Sequence, residues 1–208
     1  MKVALIGASG FIGSCILAEA LRRGHHVTGI VRHPEKITTQ DEKLTVVAAD
    51  ATHPDELAKI VAGHEAVISA YNLEPDPEIP GYKAIIAGVQ QAGVPRLLVV
   101  GGAGTVEIAP GVQLVDTPDF PEAWKPGALA MRNVYEYLQT ISNLDWTFFA
   151  PAMMIQPGER TGQFRTSAQG HLFDANGESK ISSPDYAIAM VDELEKPQHL
   201  RQLFTVGY

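Results

Sequence analysis

The 208-residue chain has one cysteine, fewer basic than acidic residues, and no apolar run long enough to cross a bilayer. Each shortage removes a class of function. Cys15 alone cannot close an internal disulfide, and on the inward pattern of the first helix it reads as a small buried hydrophobe. The formal net charge of −8 disfavours nucleic acid as a partner, because phosphate-backbone binding draws on a basic surface. The seven histidines show no metal-ligand spacing, and the neighbouring His25 and His26 point to opposite faces of a strand entry, so no metal is expected. The N-terminal residues read as a strand rather than a secretory leader. The expected location is therefore the cytoplasm, with no membrane contact. An apolar content of 45% and a mean hydropathy near zero fit a single globular domain over residues 1–208.

What the chain does have begins at its second residue. Lys2-Val3-Ala4-Leu5-Ile6 reads as a buried parallel strand and runs into Gly7-Ala8-Ser9-Gly10-Phe11-Ile12-Gly13, which opens a helix. Strand, glycine turn and helix together specify a phosphate site. Gly7 permits a tight turn, Gly10 the close approach of a pyrophosphate, and Gly13 the packing of helix on strand. The first amides of the helix then face the anion along a favourable dipole.

The rest alternates β and α, which predicts a doubly wound parallel sheet. Strands are expected at 27–31, 44–48, 66–70, 96–100, 146–150 and 203–206. Helices are expected through 23, over 54–61, 82–92 and 128–141, and at 183–195, capped by Ser183-Pro184-Asp185. Short extended pieces are expected near 163–166 and 171–174, with residues 151–208 adding a small substrate-side region. The stretch from Thr105 to Gly127 holds four prolines and reads as a loop of the kind that covers a site. Ile188 and Val191 on the last helix are either core or the contact of a homodimer.

Ligands of such sheets bind beyond the carboxyl ends of the strands. The second strand ends in Arg32-His33, where a cofactor with only ribose hydroxyls would favour an acid. An arginine fork there suits a 2′-phosphate, which predicts NADP(H) over NAD(H); the competing reading is a plain surface cation. Asp50 and Ala51 follow the third strand, where Asp50 either meets an adenine edge or serves as a helix-entry acid. Ser69, Ala70 and Tyr71 follow the fourth, Gly101 and Gly102 the fifth, and Pro151 the sixth, as further cofactor-side positions. Phe120, Trp124, Met153 and Met154 are either a stackable acceptor wall or core. Arg132 and Lys125 either polarise an acceptor oxygen or are solvated charges.

The glycine motif, the Val31-Arg32 ending, Asp50, Leu144-Asp145-Trp146-Thr147 leading to Pro151, and Ser183-Pro184-Asp185-Tyr186-Ala187 resemble the atypical short-chain dehydrogenase/reductase superfamily. Within it the chain is similar to the NmrA-like NAD(P)H-binding branch, which includes candidate NADH-flavin reductases. The resemblance implies a Rossmann-type sheet of about seven strands. It also implies a bound dinucleotide. The chain departs from the wider pattern where a tyrosine precedes a lysine by four residues. Tyr82, Tyr135, Tyr137 and Tyr186 are followed at that offset by Ile86, Gln139, Ile141 and Met190. Ala128 and Arg132 fall where the pair would be, and Gly102 and Ala103 replace the expected serine, leaving Thr105 as the nearest hydroxyl. The expectation is a reductase whose acceptor, a flavin or quinone, takes its proton from water. A dinucleotide-binding redox sensor that reports to a regulatory protein partner is the alternative. A sugar epimerase or dehydratase ranks last, for want of a proton acceptor.

Overall fold

The order of the strands places a crevice at the centre of the molecule. In the computed structural model, which describes residues 1–208, β1 (Lys2–Ile6), β2 (His26–Val31), β3 (Leu44–Ala48), β4 (Ala66–Ser69) and β5 (Arg96–Val100) alternate with α1 (Phe11–Arg22), α2 (Pro54–Val61) and α3 (Pro80–Gln91). A hairpin of β6 (Glu107–Ala109) and β7 (Val112–Gln113) precedes α4 (Lys125–Gln139) and β8 (Asp145–Ala150). The last quarter adds β9 (Met154–Gln156), β10 (Arg165–Ser167), β11 (Lys180–Ser182), α5 (Ser183–Glu195) and β12 (Gln202–Gly207). The main sheet runs β10-β12-β8-β5-β4-β1-β2-β3. From β1 the chain winds outward one way through β2 and β3, then returns to β4 and winds the other way. That reversal opens a ligand crevice beyond the carboxyl ends of β1 and β4.

Burial on both faces explains the apolar strands. Ala4, Leu5 and Ile6 are at most 2% exposed, as strands covered by helices on either side must be. One core holds Ile16 and Leu17 of α1 with Tyr186 and Met190 of α5. The opposite core holds Leu57 of α2, Ile85 of α3 and Val134 of α4. Phe149 lies stacked between Tyr186 and Phe204, ring centroids 4.2 and 4.1 Å away, and the Tyr186 hydroxyl donates to the Phe149 carbonyl at 2.6 Å. Each such ring contributes roughly 1.5–3 kcal/mol through its burial. No helix is long and apolar enough to cross a membrane.

Several expectations are corrected. The main sheet has eight strands, and its edge strand β10 pairs antiparallel with β12. Helices α3 and α4 start earlier than expected, at Pro80 and Lys125, because a proline in the first turn lacks only an N–H that would have no helical partner. The stretch from Thr105 to Gly127 contains the β6–β7 hairpin and a short 3₁₀ turn at Leu114–Asp116. Residues 171–174 form no strand. The Asp174 carboxylate instead accepts from the amides of Asn176 and Glu178 in a turn. The cap of α5 is Ser182, whose Oγ accepts from the Asp185 amide at 3.1 Å, rather than Ser183. Ile188 and Val191 are 6% and 0% exposed, so they are core rather than a subunit contact.

Candidate functional site

The turn between β1 and α1 is shaped by what glycine lacks. Gly7 sits at φ +78°, and a Cβ there would stand 2.4 Å from the Ala70 carbonyl oxygen. A Cβ on Gly13 would stand 2.1 Å from the Gly7 carbonyl oxygen, so only glycine lets α1 lie this close to β1. The Gly10 amide donates to the Gly7 carbonyl at 2.9 Å, which closes the turn. The amides of Phe11, Ile12 and Gly13 then donate to no protein acceptor, and no side chain caps the helix. They are the orphan donors of a helix start, aimed where an anion can take them up.

A continuous groove runs from this turn in both directions along the carboxyl ends of the strands. Its first cavity, about 320 Å³, is lined by Gly7, Ser9, Gly10, Arg32, His33, Lys36, Asp50, Ala51, Ala70 and Tyr71, among others. A middle cavity of about 570 Å³ shares Gly10, Ala70, Tyr71 and Asn72 with it and adds Phe11, Ile12, Gly13, Val100, Gly101 and Met131, among others. A third, of about 550 Å³, shares Gly127 and Met131 with the middle one and is lined by Gly102, Phe120, Trp124, Met153 and Met154. A separate cavity of about 420 Å³ between α5, β10 and β12 shares no residue with the groove.

The two ends differ in charge. At the first end the side chains of Arg32 and Lys36 are exposed and enter no hydrogen bond or ion pair with the rest of the protein. His33 lies 3.3 Å from Glu35. Asp50 turns inward on its own loop, its Oδ1 accepting from the Thr52 hydroxyl at 2.7 Å and the Thr52 amide at 2.9 Å. Those two bonds, aided by Arg32, hold its carboxyl below the usual carboxylate range. Tyr71 lies edge-on to Tyr82, centroids 5.6 Å apart, and over Gly81, where a Cβ would stand 2.7 Å from its hydroxyl. Burial, with Asp50 and Glu74 nearby, pushes its phenol up, so it stays protonated. A pyrophosphate on the free amides and a further phosphate on Arg32 fit this donor set.

Not every position read from the sequence reaches the groove. Ser69 is fully buried, its Oγ accepting from the Tyr71 amide at 3.4 Å. Pro151 is buried, its carbonyl accepting from the Thr205 hydroxyl at 3.2 Å. Thr105 is 2% exposed, with a hydroxyl that has no partner. Lys125 pairs with Glu122 at 3.4 Å, and Arg132 with Asp116 at 2.8 Å. None of the five lines a cavity of the groove. Conversely, Asn72 and Leu73 line the middle cavity, and Leu114, Thr117, Asp119 and Met131 the third. Asn72 and Leu73 carried the same signal as Tyr71, a place just past a strand. Met131 could have been found by its helical spacing from Ala128.

Sequence and structure comparisons agree with this geometry. The sequence model of a family described as NAD(P)H-binding matches residues 7–197. A crystal structure of a candidate exported protein from Burkholderia pseudomallei is 50% identical, with TM-score 0.92 over 100% of both chains. One of a candidate epimerase from Bacteroides thetaiotaomicron is 48% identical, with TM-score 0.96 over 100% of this chain and 96% of that one. One of a candidate NADH-flavin reductase from Streptococcus pneumoniae is 38% identical, with TM-score 0.86 over 100% and 99% of the two chains. With its glycine turn, free helix amides and central crevice, the chain belongs to the NAD(P)H-binding family.

Proposed function

We propose that this protein is an NADPH-dependent reductase that passes hydride to a small conjugated acceptor of flavin or quinone type. The observation that carries the reading is one groove with a cationic end at Arg32 and Lys36, a glycine-and-amide cradle, and an apolar end at Phe120, Trp124, Met153 and Met154. The free amides of Phe11, Ile12 and Gly13 hold the pyrophosphate, and Arg32 reads the 2′-phosphate that separates NADP(H) from NAD(H). When bound, the reduced nicotinamide supplies a hydride. The chain contributes alignment of two planar groups along the groove and an apolar wall against the acceptor. Thr105 is buried and Arg132 is tied to Asp116, so a water-supplied proton suits this site better than a side-chain relay. The chain's one cysteine and its use of a reduced cofactor suit the cytoplasm.

A second reading, a redox sensor without turnover, draws on the missing pair of a tyrosine and a lysine four residues apart. NADPH consumption with flavin, quinone and aldehyde acceptors separates the two. Turnover at the uncatalysed background for every acceptor, with NADPH still bound, would favour sensing. For the cofactor, Arg32→Ala is expected to weaken NADP(H) binding about ten- to a hundredfold, the worth of a charge-assisted phosphate contact, and to leave NAD(H) nearly unchanged. Equal losses by calorimetry would remove Arg32 from the 2′-phosphate.

A further inference from the structure

The acceptor end of the groove is selective in charge as well as shape. We infer that its substrate is an uncharged planar quinone, and that phosphorylated flavins and other anionic acceptors are excluded. This rests on the reading of the groove as a dinucleotide and acceptor site.

Among the residues lining the third cavity, Asp119 is the only ionisable one. The rest are glycines, alanines, a proline, a threonine and apolar side chains, and the Thr117 hydroxyl is already committed to the Leu114 carbonyl at 2.7 Å. The two nearest cations in sequence, Lys125 and Arg132, do not line the cavity and are held by Glu122 and Asp116. An acceptor carrying a phosphate or sulfonate would therefore meet a wall whose side chains offer no cation and one exposed carboxylate. The opposite end of the same groove shows the contrast, with Arg32, His33 and Lys36 around one carboxylate. A neutral ring meets no such cost. Trp124 and Met154 border the cavity with 60% and 51% of their surface exposed, and a flat apolar ligand would cover them. The quinone accepts a hydride from the reduced nicotinamide and one proton from water. It leaves as the hydroquinone, with NADP⁺ as the other product.

Binding can be read without turnover, because Trp124 borders the cavity while Trp146 is 2% exposed in the core. Fluorescence titration in the absence of dinucleotide would compare naphthoquinone, its sulfonamide, its sulfonate and FMN. A Trp124→Phe variant isolates the local signal. The expected result is saturable quenching by the quinone and the sulfonamide. The sulfonate and FMN should bind at least about tenfold more weakly, and Asp119→Lys should narrow that gap. Equal affinity for sulfonamide and sulfonate, or no saturable quenching by either neutral quinone, would overturn the inference. Calorimetry with NADPH on the same sample keeps the two levels apart. NADPH heat without charge selection leaves the cofactor reading standing alone, whereas no heat brings down both.

Discussion

His64 lies at 6% exposure in the turn after α2, its Nδ1 3.0 Å from the Val61 carbonyl and its Nε2 2.8 Å from the Thr28 hydroxyl. The carbonyl can only accept, so Nδ1 carries the proton and Nε2 accepts from Thr28. Burial pushes this imidazole below its ordinary value of 6.5, and Lys2 acts in the same direction. His171 is lowered by burial as well, with its Nε2 donating to the Ala103 carbonyl at 3.0 Å. For both, the unfolded chain takes up a proton at a higher pH than the folded one. Their contribution to stability is therefore whole above pH 6.5 and is lost as pH falls from there through the folded values. Urea unfolding at pH 7 and pH 5 should show wild-type stability dropping more than that of His64→Gln. A difference between the two proteins that does not change with pH would refute the buried neutral imidazole.

Between elements, a buried polar joint fastens α5 to the sheet. Arg96 of β5 and Glu193 of α5 are 7% and 4% exposed, with Nη2 and Oε1 2.9 Å apart. Arg96 also donates to the Thr147 hydroxyl of β8 at 2.6 Å, and Glu193 accepts from the His199 amide at 3.0 Å and from its ring at 2.8 Å. Removing one member of a buried pair strands the other, so Arg96→Met should cost about 3–5 kcal/mol. The double variant Arg96→Met/Glu193→Met should lose less than the sum of the two single variants, by more than about 1 kcal/mol. Additive losses in urea would show that the two side chains do not act as a pair. Such joints bear on what the sequence could disclose. The apolar runs and proline or glycine punctuation of β1 to β5, α2 and α5 are local signals, and those elements fall where their residues predict. Strand β10 overlaps the extended piece expected near 163–166, but β9 and β11 are three residues long and are held from afar, by parallel pairing with each other and by Ser182 Oγ donating to the Glu159 carbonyl. No local pattern announces bonds of that reach. In the groove, a place just past a strand was legible, but the side-chain direction was not. Tyr71 lines the groove, whereas Ser69, two residues before it, is buried in the core.

At the scale of the molecule the groove crosses the point where the sheet's two halves meet. Its walls come from the ends of β1 and β2 and the loop after β3 on one side, and from the segments after β4 and β5 on the other. A ligand lying there touches both halves, so its binding free energy should appear in the unfolding of the whole sheet rather than in the fraying of one loop. At a concentration a hundredfold above its dissociation constant, NADP⁺ should stabilise the fold by about 2.7 kcal/mol. In a chain of this size that corresponds to a rise in Tm of roughly 5–10 °C. NAD⁺ at the same concentration should give a smaller rise, because the unpaired Arg32 finds no 2′-phosphate, and Arg32→Ala should bring the two dinucleotides to the same value. The groove gathers its cations at one end of a protein whose total charge is −8, so a larger rise with NADP⁺ would be the work of contact with Arg32 and Lys36 rather than of the overall field. Thermal scans settle the matter: a melting point that neither dinucleotide moves would mean that the free amides of α1 hold no phosphate. A difference that survives Arg32→Ala would move 2′-phosphate recognition to Lys36 or His33.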